Sequence, residues 1–227
     1  LQTNFIGVNV TANATGAVAA AMMGHLVMVV DVIDMSTTLE AALDAGAVAV
    51  FGASPDSSRA PVDLNPEKIG MEAGSIALRN GTEVVLISEP RVGTDEERLQ
   101  RASKAVAGIK KSGARIAAVV PNNGAETAKL VDFKNKVVLA VTDTGGVAYD
   151  AAFNAGAPAV VTGTIARTMQ KRGIKPAHDA AARAVEQASR LGVGITVVAA
   201  TANSLEDILA AEYIARLILE KGFTQLK

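Results

Sequence analysis

Apolar positions along the chain fall into short solid runs separated by amphipathic stretches. The densest, LVMVVDVI, has seven apolar residues in the eight from Leu26 to Ile33, with Asp31 the exception. A run of that length is too short to span a membrane and reads as a strand buried on both faces. Comparable runs predict strands at Phe5–Val10, Ala47–Phe51, Glu83–Ser88, Arg115–Val120, Lys136–Val141, Ala159–Thr162 and Ile195–Ala199. Between them the pattern predicts helices at Ala17–Met23 and Thr38–Ala45, stopped by Gly24 and Gly46, and at Pro66–Asn80. Others follow from Thr94, where Glu97 completes a capping box, and through the segment ending at Asn154. The last are Ile165–Lys171, Pro176–Leu191 and Leu205–Lys221, the final one opened by Ser204 and Asp207. Pro121–Gly124 reads as a turn into Ala125–Val131.

Regular strand–helix alternation with short links indicates an α/β protein, a three-layer α/β/α arrangement around a mostly parallel sheet. The Leu26 and Ala47 strands, joined by one helix, are expected to pair in parallel through that crossover. The 227 residues suit a single α/β unit. If there are two similar lobes, the boundary is best placed near Asn80–Gly81.

Composition narrows the chemistry. Apolar residues make up 49% of the chain and aromatics 3%, so the core is built from small and branched side chains. A net charge of −1, with no basic run, argues against nucleic acid as a partner. The absence of Cys excludes thiol catalysis and thiolate zinc, and fits a cytoplasmic setting. Two histidines, His25 and His178, are too few for a His-rich metal site and read as structural and solvated respectively. No membrane span is expected, and the Ala-rich run Ala17–Met23 lacks the basic lead of a signal peptide. The Ala-rich helices could pack within one subunit or in a homo-oligomer.

Candidate chemistry gathers after the strands, where ligands of open α/β sheets sit. Asp31 and Asp34 end the first core run, and Ser36, Thr37 and Thr38 open the next helix. Thr144 and Gly145 follow the Lys136 strand, and Thr164 follows the Ala159 strand. Arg167 lies just beyond. Thr201, Ser204, Glu206 and Asp207 follow the last strand. A long loop, Gly52–Pro66, adds Arg59. Hydroxyls and helix N-termini suit anionic oxygens, and hard carboxylates suit Mg2+. Together they favour phosphoryl chemistry. Each also has a plain reading: Ser204 with Asp207 as a cap, Thr144–Gly146 as a tight turn, Glu206 as a favourable charge at a helix start. Neither GxxxxGK[ST] nor a GxGxxG after a strand is present.

Three segments together resemble the 2-phosphosulfolactate phosphatase family. VVDVIDMSTTLEAALDAGA is similar to its strand and helix with an Asp, V-L-R and a Ser/Thr-rich turn. VVLAVTDTGGVAYDAAFNAGAPAVVTGT is similar to its T-T-N-G-T turn. GITVVAATANSLEDILAAEYIARLI is similar to its S-L-E-D-x-x-A-A-G helix. The departures are Asp34 where the family has Arg, Asp143 and Gly145–Gly146 in the central turn, and Glu212 in place of Gly. The resemblance implies a diverged paralogue of an enzyme of coenzyme M biosynthesis that hydrolyses 2-phosphosulfolactate to sulfolactate. The expected activity is thus a Mg2+-dependent phosphatase acting on a small anionic ester. Its catalytic carboxylates would be Asp31, Asp34 and Asp207, with Asp31, Glu206 and Asp207 as metal ligands. Substrate contacts would come from Ser36, Thr37, Thr38, Arg59, Thr144, Gly145, Thr164, Arg167, Thr201 and Ser204. Loss of catalysis, leaving a small-anion-binding or regulatory protein, is the alternative that Asp34 motivates. A nucleotide-sugar or cofactor-handling enzyme is a weaker one.

Overall fold

The computed structural model describes residues 7–223. Within them the apolar runs become eight strands in two sheets. β1 (Val8–Ala12), β2 (Leu26–Val30), β7 (Val160–Gly163) and β8 (Ile195–Ala199) form the first sheet, in the order β1-β8-β2-β7. β3 (Ala49–Ala53), β4 (Val84–Ser88), β5 (Ile116–Pro121) and β6 (Val137–Val141) form the second, in the order β3-β6-β4-β5. Every pairing in both is parallel. The helices are α1 (Asn13–Met22), α2 (Met35–Asp44), α3 (Pro66–Arg79), α4 (Asp95–Arg101), α5 (Ser103–Ser112), α6 (Gly145–Asn154), α7 (Lys175–Leu191) and α8 (Leu205–Glu220).

Period-two alternation in the strands sorts their side chains to opposite faces. In β2 and β8, Val27, Val29 and Val198 join a core with Ala17 and Ala20 of α1 and Met35 of α2. Their neighbours Leu26, Met28, Val30, Ile195, Val197 and Ala199 join a second core with alanines of α7 and with Ile214 and Ile218 of α8. Thus α7 and α8 cover the outer face of the first sheet. Helices α1, α2 and α6 fill the space between the sheets, and α3 with α5 packs outside the second. Each sheet is the middle of a three-layer α/β/α sandwich, with the central helices common to both. All five residues of β2 are fully buried, as its unbroken apolar run requires.

Several expectations change. β2 and β3 do not pair: β2 lies between β8 and β7, while β3 pairs with β6 in the other sheet. The helix linking them, α2, therefore carries the chain from one sheet to the other. Both sheets take strands from either side of residue 80, so a break there would cut through both. The predicted helix from Thr94 is two, α4 and α5, divided at Ala102. The 165–171 segment is not helical. It is a turn in which the Thr168 hydroxyl accepts from the N–H groups of Gln170 (3.2 Å) and Lys171 (3.0 Å). The turn at Pro121–Gly124 leads into a short 3-10 helix, Gly124–Lys129. Of the predicted first strand, Phe5 and Ile6 lie outside the described residues.

Candidate functional site

The C-terminal ends of the two sheets meet at Asp31. Strand β2 delivers this residue, 3% exposed, against the start of α6, which follows β6 of the other sheet. Asp31 Oδ2 accepts from the Thr144 hydroxyl at 2.9 Å and from Gly145 N–H at 2.7 Å; Oδ1 accepts from Asp34 N–H at 3.2 Å. Gly145 has no room for a side chain, because a Cβ there would overlap Asp31 Oδ2. A buried carboxylate at a helix N-terminus meets donors and a favourable dipole. Burial and the charge of Asp34 nevertheless push the Asp31 pKa up, against the pull of its three donors.

Asp207 reaches the same place from the first turn of α8. Ser204 caps that helix, accepting from Asp207 N–H at 3.4 Å, and Asp207 Oδ1 accepts from Val32 N–H at 2.8 Å. Burial is the main reason its pKa is pushed up to about 6; the charges of Asp31 and Glu206 add to it, and the Val32 N–H opposes it. Asp31, Thr144, Gly145, Ser204 and Asp207, drawn from three distant segments, are therefore gathered at one seam.

The hydroxyls of the β2–α2 turn have a different role from the one expected of an anion cradle. Ser36 Oγ donates to Val29 carbonyl oxygen at 2.9 Å and accepts from Asp31 N–H at 3.0 Å. Thr37 Oγ1 donates to Val32 carbonyl oxygen at 2.5 Å and lies 2.7 Å from Thr164 Oγ1. Thr38 Oγ1 donates to Asn122 Oδ1 at 2.5 Å. All four are buried, and they hold the turn that aims Asp31. Thr201 Oγ1 accepts from Asn203 N–H at 3.1 Å and shapes the loop before α8.

The cations expected from the sequence go elsewhere. Arg167 pairs with Glu126 at 2.7 Å. Arg59 lines a recess of about 290 Å3 in the loop after β3, with Lys104. Around Asp34 and Asp143, the neighbours of Asp31 and Thr144, positive charge comes instead from Arg91 and Arg101. Arg91 pairs with Asp34, and Arg101 pairs with Asp143. These arginines and Glu89 line a cavity of about 510 Å3 with Asp34, Thr142 and Asp143. Buried Arg98 fixes the loop that carries Glu89 and Arg91, donating to the carbonyl oxygens of Pro90 (3.0 Å) and Arg91 (3.2 Å). Glu89 and Arg91 follow β4, so the strand-end rule that picks out Asp31 applies to them equally.

An ionised carboxylate offers about four acceptor positions. The three donors on Asp31 leave Oδ1 able to take one more partner. Among the described residues no group of three or more His, Asp or Glu side chains forms a metal cage, the expected trio of Asp31, Glu206 and Asp207 included. Mg2+ commonly uses one or two carboxylates and completes its shell with water and phosphate oxygens. A Mg2+ ion here would have to take most of its shell from water or a ligand.

Fold and seam together define an α/β protein with two parallel sheets and a buried carboxylate pair where their strand ends meet. Set against models of known protein families and against curated proteins, the chain finds no match. Among the described residues no helix is long and apolar enough to cross a membrane.

Proposed function

We propose that the protein is a Mg2+-dependent hydrolase of small anionic phosphate esters, as its resemblance to the 2-phosphosulfolactate phosphatases implies. The observation that carries this reading is the meeting of Asp31 and Asp207 at the seam, both buried and both disposed to hold a proton more firmly than usual. Two carboxylates in one site can divide the work of holding and moving a proton. Asp207, with a pKa of about 6, suits protonation of the departing alkoxide oxygen. Asp31, held by Thr144 and Gly145, fixes the geometry of the reacting end. Mg2+ held by the free position of Asp31 Oδ1, with water and ester oxygens, would neutralise ester charge and favour attack by water on phosphorus. The N-termini of α6 and α8 bring positive dipole ends toward an anionic ligand.

A second reading, binding without turnover, is favoured by one observation. The hydroxyls of Ser36, Thr37 and Thr38 already donate within the protein, so they bring no free proton to a phosphate. Phosphate release from a panel of small monoesters, with Mg2+ and with chelator, separates the two. Mg2+-dependent release is expected, and Asp207→Asn should lower kcat about 100-fold or more. Thermal stabilisation by the esters without release from any of them would replace catalysis with binding.

A further inference from the structure

We propose that the cavity beside Asp31 selects phosphate esters whose far end carries an ammonium group, not a second anion. The proposal rests on the hydrolase reading above and names its substrate class. The cavity, about 510 Å3, is lined by the carboxylates of Asp34, Glu89 and Asp143 and by the guanidinium groups of Arg91 and Arg101. Its wall adjoins Asp31: Asp34 N–H bonds the Asp31 carboxylate, and Asp143 immediately precedes Thr144, which bonds it too.

Charge pairing within the cavity is unequal. Arg91 is committed to Asp34, and Arg101 to Asp143. Glu89 is left over. Its closest cation is Arg91 Nε at 3.7 Å, beyond hydrogen-bonding range, and its side chain is only 21% exposed. Buried Asn122, on the loop after β5, lies near enough to favour the ionised form of Glu89 slightly, but its amide nitrogen makes no close hydrogen bond to it. Burial raises the Glu89 pKa; the more distant charge of Arg91 opposes this, Asp34 adds to it, and Arg101 and Asn122 oppose it in turn, without cancelling the rise. A half-buried carboxylate without a close donor is costly. A ligand ammonium would meet that deficit and leave both arginine pairs intact. A second anion would face the surplus negative charge, or would have to displace Asp34 or Asp143 from its arginine.

The test uses three esters of nearly the same size: 2-aminoethyl phosphate, 2-hydroxyethyl phosphate and phosphoglycolate, ending in an ammonium, a hydroxyl and a carboxylate. With the full chain and Mg2+, kcat/KM should fall in that order, by about five- to tenfold at each step. Glu89→Gln should bring the aminoethyl-to-hydroxyethyl ratio close to one. Asp34→Asn, expected to lower the same ratio, serves if Glu89→Gln fails to fold. Equal rates for all three, or preference for phosphoglycolate, overturns the proposal while the hydrolase reading stands. If none is hydrolysed, the hydrolase reading falls, and calorimetric binding of the same esters decides the selectivity. The same order of affinity upholds it; no binding, or tightest binding of phosphoglycolate, overturns it.

Discussion

Asp207 sets the chemistry at the scale of single residues. Its folded pKa of about 6 exceeds an unfolded value of about 3.9. Between those values the native state holds a proton that the unfolded chain has released. This group's contribution to stability therefore falls as pH rises from about 4 to about 6, and is constant above. Asp207→Asn removes that loss, keeps an oxygen for Val32 N–H, and should gain about 1–2 kcal/mol on wild type between pH 4.5 and 7. Thermal melts of both proteins across that range check it, and parallel curves would show that Asp207 does not titrate there. The same substitution is expected to lower activity, a trade common where a site is built from strained charges. Asp31 stands out in the sequence because it interrupts an apolar run at a strand end, and Asp207 because it pairs with Ser204 at a helix start. Glu89 and Arg91 carry the same strand-end mark; Arg101, inside α4, carries none. Which carboxylate each arginine meets, Asp34 for Arg91 and Asp143 for Arg101, comes from the fold, and separation along the chain gives no sign of it.

At the scale of elements, close packing and buried pairs decide what is held in place. α3 and α5 approach through Gly70 and Gly108: a Cβ at Gly70 would overlap the Ala105 carbonyl, and one at Gly108 the Glu67 carbonyl. Deep between α2, β7 and α7, Glu40 accepts from Thr162 Oγ1 at 2.6 Å and pairs with Arg183, which also donates to the Thr162 carbonyl oxygen at 3.0 Å. The Glu40 carboxyl is 3% exposed, and burial pushes its pKa up even against Arg183. Arg183→Met should therefore destabilise the protein by about 3–5 kcal/mol, because it strands a buried charge. Urea denaturation at pH 7 measures this. Adding Glu40→Gln should recover part of the loss, and an undiminished deficit in the double variant would count against the pair. Apolar periodicity located nearly every strand and helix. It failed at Ala102 and across residues 165–171, where side-chain hydroxyls and a helix break act locally without changing the apolar count.

At the scale of the whole molecule, the two sheets share one interior. Val27 and Val29 of the first sheet lie in the same apolar cluster as Val138 and Leu139 of the second, through α1, α2 and α6. Neither sheet can lose its inner helical layer without exposing the other, so the molecule should unfold in one transition. Tyr149, on central α6, and Tyr213, on outer α8, report from different layers. Urea curves from each tyrosine, isolated by replacing the other with Phe, should coincide with the loss of helix signal. Separate midpoints would show that the sheets melt independently. The division into two sheets was hidden from the sequence, because a buried strand carries the same apolar run whichever sheet it joins.

Helices α1 and α6 pack together, and small residues dominate what they bury: Ala14, Ala17, Ala20 and Ala21 on α1, and Ala148, Ala151 and Ala152 beside Tyr149 on α6. These helices act as spacers whose girth sets how far apart the two halves stand, and so how wide the mouth beside Asp31 opens. One added methylene on a spacer, well away from any charged group, would shift Thr144 and Gly145 relative to the carboxylate they hold. Relatives could then acquire larger or smaller ligands by changing alanines alone, with every polar side chain at the opening preserved.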